Sequence, residues 1–174
     1  MTELPVDLLA KSASTGMKEV FSTMLGLEVE PGPPQTQHDR LESFGGIMAL
    51  VGIGGAWTGA GRLLISPKMA CTLAGALLMS TFEGVDEEVL DAIGEIANMV
   101  VGGTKTILEE ELGPLSLSIP TVIFGKNYST HSGKVHDWLV LPFHCGGEQI
   151  ELRFCLMPTH ANARAGFQME AQHI

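Results

Sequence analysis

The sequence predicts an α/β (α+β) fold with long helices packed on one side of an antiparallel or mixed sheet. Two observations lead to this expectation. Apolar residues follow helical spacing in three segments of the first two thirds of the chain, whereas from residue 116 onward they form short runs rich in Ile, Val, Leu and Phe. With 45% apolar residues among 174, the chain can bury a substantial core. The expected order is helix, two strands, helix, long helix and three strands.

The first helix is expected over residues 3–26. Its apolar residues recur at steps of three and four, which places them on one face. They are Val6, Leu9, Ala13, Met17, Val20, Phe21 and Met24. Gly26 is suited to end the helix, because glycine adopts the left-handed conformation of a helix end readily. Residues 31–39 are rich in Pro and polar residues and are expected to form a loop.

Residues 45–65 form an apolar run of roughly membrane-span length that carries one charge, Arg62. Seven glycines interrupt this run. Glycine weakens a helix interior and permits tight turns, so the run favours two buried strands joined by a turn over a membrane-spanning helix.

Two further helices are expected after these strands. Pro67 suits the first position of a helix whose N-cap is Ser66 and which ends near Met79. Asp86 is the expected N-cap of the long helix, because two glutamates follow it in the first turn, where negative charge suits the helix dipole. Gly113 and the proline after it are expected to end this helix.

The last third of the chain has the pattern of strands. The expected strands cover residues 116–125, 138–145 and 148–157. Gly146 and Gly147 are expected to form a two-residue hairpin turn. In the last strand the apolar residues alternate with Glu151, Arg153 and Cys155, which favours one face on the core and one face nearer solvent.

The charge balance argues against nucleic-acid binding, because the formal net charge is −10, with ten Lys and Arg against twenty Asp and Glu. The first thirty residues lack the basic start and apolar run of a secretory signal, so a cytoplasmic location is expected. We expect a single domain over residues 1–158 and a C-terminal tail over residues 159–174.

The cysteines and histidines predict no metal site and no disulfide framework. The three cysteines are an odd number without CxxC spacing, which is typical of reduced structural thiols. They are Cys71, Cys145 and Cys155. His131, His136 and His144 match no compact set of metal ligands. The Gly-rich run forms neither a dinucleotide-binding fingerprint nor a phosphate-binding loop, and no GxSxG sequence places a nucleophile.

A polar face on the long helix holds the candidate functional residues. On a helical wheel the apolar residues Val89, Ile93, Ile96 and Val100 form one stripe. Asp91, Glu95, Asn98 and Gly102 fall together on the opposite side. Such a face is typical of any surface helix. However, Asn and the pair Gly102 and Gly103 are poor choices inside a helix, which indicates that something approaches the helix closely.

The polar face resembles the motif of the CheC, CheX and FliY family of chemotaxis phosphatases. The motif places an acid or Ser, then Glu four positions later, then Asn three positions further on, and a Pro downstream. Asp91, Glu95, Asn98 and Pro120 fit it, although Pro120 comes one residue earlier than in the family pattern. The order of elements over residues 3–157 is also similar. The resemblance implies a CheC-like fold with a pseudo-twofold between two similar halves.

The resemblance also implies a second, degenerate copy of the motif on the first helix. Thr15, Glu19 and Ser22 repeat the offsets of the motif, with Ser in place of Asn. One working site per chain is therefore expected, as in CheX, rather than the two sites of CheC. A chance match is the competing explanation for this copy. A homodimer is expected by resemblance to CheX.

In this family the substrate is the aspartyl phosphate of a CheY-type response regulator in two-component signalling. The resemblance implies that Asn98 orders the attacking water and that Glu95 pairs with the regulator's lysine. Asp91 would support Glu95 or contact the regulator, and the alternative for Asp91 is an ordinary solvated acid. Gly102 would let the regulator's backbone approach, and the alternative for Gly102 is a bend of the helix. No cofactor of the protein's own is expected, since Mg²⁺ belongs to the regulator. The alternative is a signalling adaptor of the same fold that hydrolyses nothing.

Overall fold

Over residues 4–38, 42–131 and 137–159, which the computed structural model describes, three helices pack on one face of an eight-stranded sheet. The helices are α1 (Val6–Val20), α2 (Pro67–Leu78) and α3 (Glu87–Leu112). The strands are β1 (Glu30–Pro31), β2 (Gln35–His38), β3 (Ser43–Gly55), β4 (Trp57–Ile65), β5 (Leu115–Leu117), β6 (Thr121–Ser129), β7 (Asp137–Cys145) and β8 (Glu148–Pro158). The predicted α+β class is confirmed.

The sheet is antiparallel and consists of two equivalent halves. Its order is β1, β7, β8, β4, β3, β5, with β2 also beside β7 and β6 also beside β3. The two halves meet at the ladder between β4 and β8, where Arg62 is paired with Arg153. On one side β3 is flanked by β4 and β6, and on the other β7 is flanked by β8 and β2. This arrangement agrees with the expected pseudo-twofold.

The Gly-rich segment forms the antiparallel pair β3 and β4, as predicted, and its inward residues are part of the main core. One glycine is required by a close approach of the backbone: a Cβ atom on Gly59 would lie 1.8 Å from the carbonyl oxygen of Cys155. Among the helices of the described ranges, none has the length and apolar character needed to cross a membrane.

The first helix differs from the prediction at its two ends. It is α-helical over Val6–Val20 and continues as one π-helical turn over Phe21–Leu25, before Gly26 ends it with a φ of 64°. Val6 and Met24, which the helical spacing places on the apolar face, are each 50% exposed, so this face is buried only between them. A π turn is wider than an α turn, so residues after Val20 no longer keep the α-helical phase. Val6 lies in the first turn of α1.

The prediction of a loop holds for residues 32–34 but is wrong for Pro31 and Gln35–His38, which belong to two short strands that pair with β7; residue 39 lies outside the described residues. Gln35 pairs with Val140 and His38 with Asp137. These strands are mostly exposed and polar, so no apolar alternation marks them in the sequence. Both strands are held by hydrogen bonds to β7, which is remote in sequence, so the local sequence does not reveal them.

Residues 116–125 were expected to form one strand, but a bulge divides it into β5 and β6. Leu117 pairs with Ile53, and Thr121 pairs with Leu50. Two residues of β3 therefore face the three residues Ser118–Pro120, which is one residue too many for a regular ladder. Proline lacks an N–H to donate, which explains why the ladder is interrupted at Pro120.

The remaining element boundaries confirm the predicted helix caps and turn. Ser66 accepts a hydrogen bond from the Met69 N–H at 3.1 Å, and Asp86 accepts one from the Val89 N–H at 2.9 Å. Gly113 is the C-cap of α3. The hairpin turn has φ values of 56° and 80° at its two glycines, Gly146 and Gly147, in the left-handed region that glycine tolerates.

The outer face of the sheet carries a second apolar cluster. Cys155 was expected nearer solvent but is buried there with Trp138 and Val140. The guanidinium of Arg62 lies 3.9 Å from the centre of the Trp138 ring, and Arg153 is stacked over Phe44 at 5.2 Å. These stacked arginines cover apolar surface with their stems, which explains why the outward face is less polar than its alternation predicts.

A close crossing of α1 and α3 fixes the position of the long helix. A Cβ atom on Gly16 would lie 2.9 Å from the backbone nitrogen of Thr104 and 3.1 Å from the carbonyl oxygen of Val100. A Cβ atom on Gly103 would lie 3.5 Å from the Cα atom of Gly16. In the sequence, Gly103 indicates only that something approaches the helix closely. The structure gives this glycine a cause within the chain, namely the packing of two helix backbones.

Candidate functional site

The long helix α3 has the two faces that its sequence predicts. Val89, Ile93, Ile96 and Val100 are each 0% exposed and face the core. On the other side Asp91 and Glu95 are exposed, and Asn98 and Gly102 are half-buried. Because α3 rises 1.5 Å per residue, the polar face from Asp91 to Gly102 is roughly 16 Å long. It is long enough to present several side chains to another protein at once.

The strand edge of β5 and β6 borders this face along its length. A Cβ atom on Gly94 would lie 3.3 Å from Cγ2 of Val122 and 3.5 Å from Cγ of Pro120. Further along α3, a Cβ atom on Gly102 would lie 3.7 Å from Cδ1 of Leu117. The candidate site is therefore built from one helix and one strand edge. The motif included Pro120 but gave no role to Gly94 or to the strand edge.

Asn98 lies one helical turn from Gly94 and one turn from Gly102, between the two contacts with the strand edge. This position explains why it is half-buried while Asp91 and Glu95 are exposed. Within residues 4–38, 42–131 and 137–159, no hydrogen bond or ion pair involves the side chains of Asp91, Glu95 or Asn98. Their polar atoms are available to a partner.

The polar face is acidic and lacks a basic residue of its own. Lys105, the lysine of α3, forms an ion pair at 2.9 Å with Glu109 in the next turn. The backbone N–H of Leu115 donates to Glu109 at 2.8 Å, and this bond, followed by Lys105, holds the pKa of the Glu109 carboxyl below its usual value. Lys105 is thus engaged at the end of α3 and does not neutralise Asp91 or Glu95.

The degenerate copy on the first helix is also exposed, but its hydroxyl groups bond to their own helix. Thr15 donates to the carbonyl oxygen of Lys11 at 2.9 Å, and Ser22 donates to that of Glu19 at 3.3 Å. Ser22 lies in the π-helical turn, whereas Asn98 lies in regular α-helix. The two copies of the motif therefore differ in backbone geometry as well as in sequence.

The other candidates of the sequence analysis do not form a site in the described part of the chain. His131 and His144 are exposed, and His136 lies outside the described residues. No group of three or more His, Cys, Asp and Glu residues able to hold a metal occurs in the described ranges. A groove of about 590 Å³ lies between α2 and the loop that follows it. Burial, with a smaller contribution from Asp86, raises the pKa of the Cys71 thiol in its wall.

A family model described as chemotaxis phosphatase CheX matches residues 47–144. The matched range contains all of α3 and the strand edge beside it, and it begins after α1. The CheY-P phosphatase CheX of Thermotoga maritima is 28% identical over 115 residues, which are 66% of this chain and 74% of that protein. The sequence comparisons thus agree with the resemblance seen in the motif.

Solved structures extend the likeness to the whole fold. The crystal structure of a chemotaxis protein CheX from Desulfovibrio desulfuricans has a TM-score of 0.77 at 26% identity, and the match covers 86% of this chain and 99% of that one. In the CheX–CheY–BeF3–Mg²⁺ complex from Borrelia burgdorferi the similar chain has a TM-score of 0.70 at 24% identity, with coverage of 87% and 96%. This second likeness is one of fold. The family model spans more than half of the chain and the solved relatives share its fold, so the chain belongs to the CheX family of chemotaxis phosphatases.

Proposed function

We propose that this protein hydrolyses the aspartyl phosphate of a CheY-type response regulator. One observation carries the proposal: the side chains of Glu95 and Asn98 share an accessible face of α3 and are engaged by no other side chain of the described residues. The name of the Thermotoga maritima relative, CheY-P phosphatase CheX, supports this substrate. The reaction transfers the phosphoryl group to water, which breaks the bond between phosphorus and the aspartate oxygen and releases inorganic phosphate.

Asn98 is the residue that we propose orients the attacking water. Phosphoryl transfer proceeds with little covalent help, so most of the acceleration comes from placing water in line with the phosphorus and from stabilising charge. A carboxamide suits this task because it both accepts a hydrogen bond from the water and donates one to it or to the phosphoryl oxygens. The position of Asn98 beside the strand edge limits the directions in which its side chain can extend.

Glu95 is proposed to pair with a lysine of the regulator. It lies three residues before Asn98 on the same face, and its carboxylate has no basic partner in the described part of the chain. A charge-assisted hydrogen bond across the interface would strengthen as water leaves and would fix the helix in register. Glu95 is thus proposed to act mainly in recognition of the regulator.

In the proposed complex Asp91 supports Glu95 or contacts the regulator, and Gly102 leaves room for the regulator's backbone. The cations that stabilise the transition state, including Mg²⁺, belong to the regulator, so the protein needs no cofactor of its own. Homodimer formation and a cytoplasmic location stay predictions.

Measuring the decay of a phosphorylated cognate regulator tests the mechanism. We expect Asn98→Ala to reduce the acceleration by about a hundredfold, as is typical when a positioning group is lost. The fold should be unaffected, because alanine is a better helix former than asparagine and the side chain is not in the core. Ser22→Ala, at the equivalent position of the degenerate copy, is the matched control and should leave the rate unchanged.

Two results would contradict the proposal or redirect it. Equal decay rates with wild type and Asn98→Ala would show that Asn98 does not position the water. If the wild-type protein binds the phosphorylated regulator without accelerating decay, the adaptor function replaces the phosphatase function. Melting curves of both variants, followed by circular dichroism, exclude unfolding as the cause of a lost rate.

A further inference from the structure

The bulge at Ser118–Pro120 projects one apolar side chain beside the candidate site. Ile119 is 86% exposed, although isoleucine is among the residues most often buried. Its exposure follows from the ladder: Ile119 is in the middle of three residues that face two residues of β3, so the regular alternation is lost there. Bulges of this kind often re-aim a side chain next to a functional site.

The bulge is fixed on both sides and does not need to be ordered by a partner. The N–H of Gly52 donates to Oγ of Ser118 at 2.8 Å, and the N–H of Ser118 donates to the carbonyl oxygen of Gly52 at 2.9 Å. The Ser118 hydroxyl donates in turn to the carbonyl oxygen of Ile119 at 2.9 Å. Pro120 is packed against Gly94. A side chain presented by such a segment loses little backbone entropy on binding.

Ile119 is close enough to Asn98 to be covered by a protein interface of standard size that is centred on that residue. Its neighbours Leu117 and Pro120 contact α3 at Gly102 and Gly94, which are about 12 Å apart along the helix with Asn98 between them. A typical protein interface covers about 800 Å² on each partner, a patch with a radius of roughly 16 Å. A partner centred on Asn98 therefore covers the bulge.

We propose that Ile119 is an apolar anchor for the docking of the phosphorylated regulator, which receives it in an apolar depression next to its phosphorylation site. This inference rests on the proposed function and adds a recognition residue to it. Interfaces combine a desolvated apolar contact with a polar rim, and the acids Asp91 and Glu95 supply such a rim here. A single exposed apolar residue is ordinary, but this one is held rigidly at the edge of the site.

Binding and turnover measurements on Ile119→Ser test this inference. We expect about a tenfold loss of affinity for the beryllofluoride-loaded, magnesium-bound regulator, because a well-packed apolar anchor typically contributes this much or more. The KM for the phosphorylated regulator should rise to a similar extent while kcat stays within about twofold, since Ile119 does not touch the reacting atoms. Ile119→Leu should restore most of the affinity.

A matched control separates a specific anchor from a general loss of apolar surface. Met79 is 94% exposed and ends α2 in the left-handed conformation, which asparagine also accepts, so Met79→Asn removes a similarly exposed apolar side chain from another element. Unchanged affinity for Met79→Asn supports the anchor. Equal losses for Ile119→Ser and Met79→Asn, or wild-type affinity for Ile119→Ser, would overturn it.

The failure of this inference is distinguishable from failure of the proposed function. The phosphatase activity is judged by the effect of Asn98→Ala on kcat, whereas the anchor is judged by the affinity of Ile119→Ser. If Ile119→Ser binds with wild-type affinity and Asn98→Ala has a strongly reduced kcat, the anchor is refuted and the phosphatase function is kept. Tight binding that depends on Ile119 without any turnover refutes the phosphatase function and keeps the anchor.

Discussion

Pro120 packs directly against Gly94, with its Cγ atom 3.5 Å from the point where a Cβ atom on that glycine would stand. The two residues come from an edge of the sheet and from the first third of α3, so their contact joins the two parts of the candidate site. Gly94 lies on the same side of the helix as Asp91 and Asn98. The contact of the motif proline with Gly94 therefore determines the distance between the bulge and Asn98.

Glu95→Gln should weaken recognition of the regulator more than catalysis. The substitution keeps the size of the side chain and removes the charge, so we expect about a tenfold increase in KM from the loss of one charge-assisted hydrogen bond. The dependence of KM on ionic strength should become weaker at the same time. Steady-state kinetics at two salt concentrations measure both effects.

The matched control for this charge is Glu111→Gln. Glu111 is an exposed carboxylate on the last turn of α3 and lies outside the polar face. Its replacement changes the net charge equally and should leave KM and its salt dependence unaffected. If Glu95→Gln and Glu111→Gln behave alike, the effect is one of overall charge and Glu95 has no specific partner.

Gly16→Ala and Gly102→Ala should have opposite effects on stability. At Gly16 a Cβ atom would lie 2.9 Å from the backbone of α3, so we expect a loss of about 1–3 kcal/mol from overpacking. At Gly102 the nearest atom is at 3.7 Å, an ordinary contact, so alanine should stabilise α3 by up to about 1 kcal/mol. Urea unfolding of both variants measures the difference.

The second of these variants also tests the role proposed for Gly102. If the regulator's backbone approaches this position, Gly102→Ala should raise KM even though it stabilises the fold. A variant that is both more stable and unchanged in KM would show that Gly102 serves no contact with the regulator. This one variant therefore distinguishes an effect on stability from an effect on recognition of the regulator.

Introducing the missing asparagine on the first helix should not restore activity. The double variant Asn98→Ala/Ser22→Asn is expected to remain as inactive as Asn98→Ala, because residue 22 lies in a π-helical turn that alters its direction relative to Glu19. The same phosphate-release assay decides the point. Recovery of more than a small fraction of wild-type activity would show that the π-helical turn does not prevent the degenerate copy of the motif from acting.

Acid should weaken the link between α3 and β5 through Glu109. Hydrogen bonds from Leu115 and then Lys105 lower the pKa of this carboxyl below its usual value of 4.5. Because the folded pKa is lower than the unfolded one, its contribution to stability is present above the unfolded value and is lost as pH falls through the folded value. Glu109→Gln should therefore lower Tm at pH 7 and show a smaller further loss below about pH 4.5 than wild type.

The control for this titration is Glu110→Gln. Glu110 is exposed, and its side chain makes no hydrogen bond or ion pair within the described ranges. Glu110→Gln should have the Tm of wild type at pH 7 and the same decrease of Tm as the pH falls. Equal pH dependence of wild type and Glu109→Gln would mean that the contacts of Glu109 do not stabilise the fold.

The parts of the fold that were predictable from the sequence depend on local chemistry. The caps Ser66 and Asp86 bind backbone N–H groups within three residues of themselves, and the apolar stripe of α3 follows the period of an α-helix. The shared face of Glu95 and Asn98 follows from the same period. These features need no knowledge of distant parts of the chain.

The parts that sequence reasoning missed depend on contacts between remote segments. The strand at Gln35 exists because it pairs with Val140, and Gly103 is required by the approach of Gly16. Met24 is a different case, because it is half exposed in the π-helical turn, where the α-helical phase is lost. The strand edge beside Asn98 was also missed, because its contact with α3 joins segments that are separate in sequence. The proline at position 120 inside an apolar run nevertheless indicates a break in the strand.

The bulge also allows the chain to change length at the edge of the site. An extra residue there protrudes into solvent while the pairs on either side of it, Ile53 with Leu117 and Leu50 with Thr121, keep their register. Insertion or deletion of one residue between Leu117 and Thr121 is therefore confined to the surface and leaves the core alignment intact. The spacing from Asn98 to Pro120, one residue shorter than in the family pattern, is a difference of the size that such a segment can absorb.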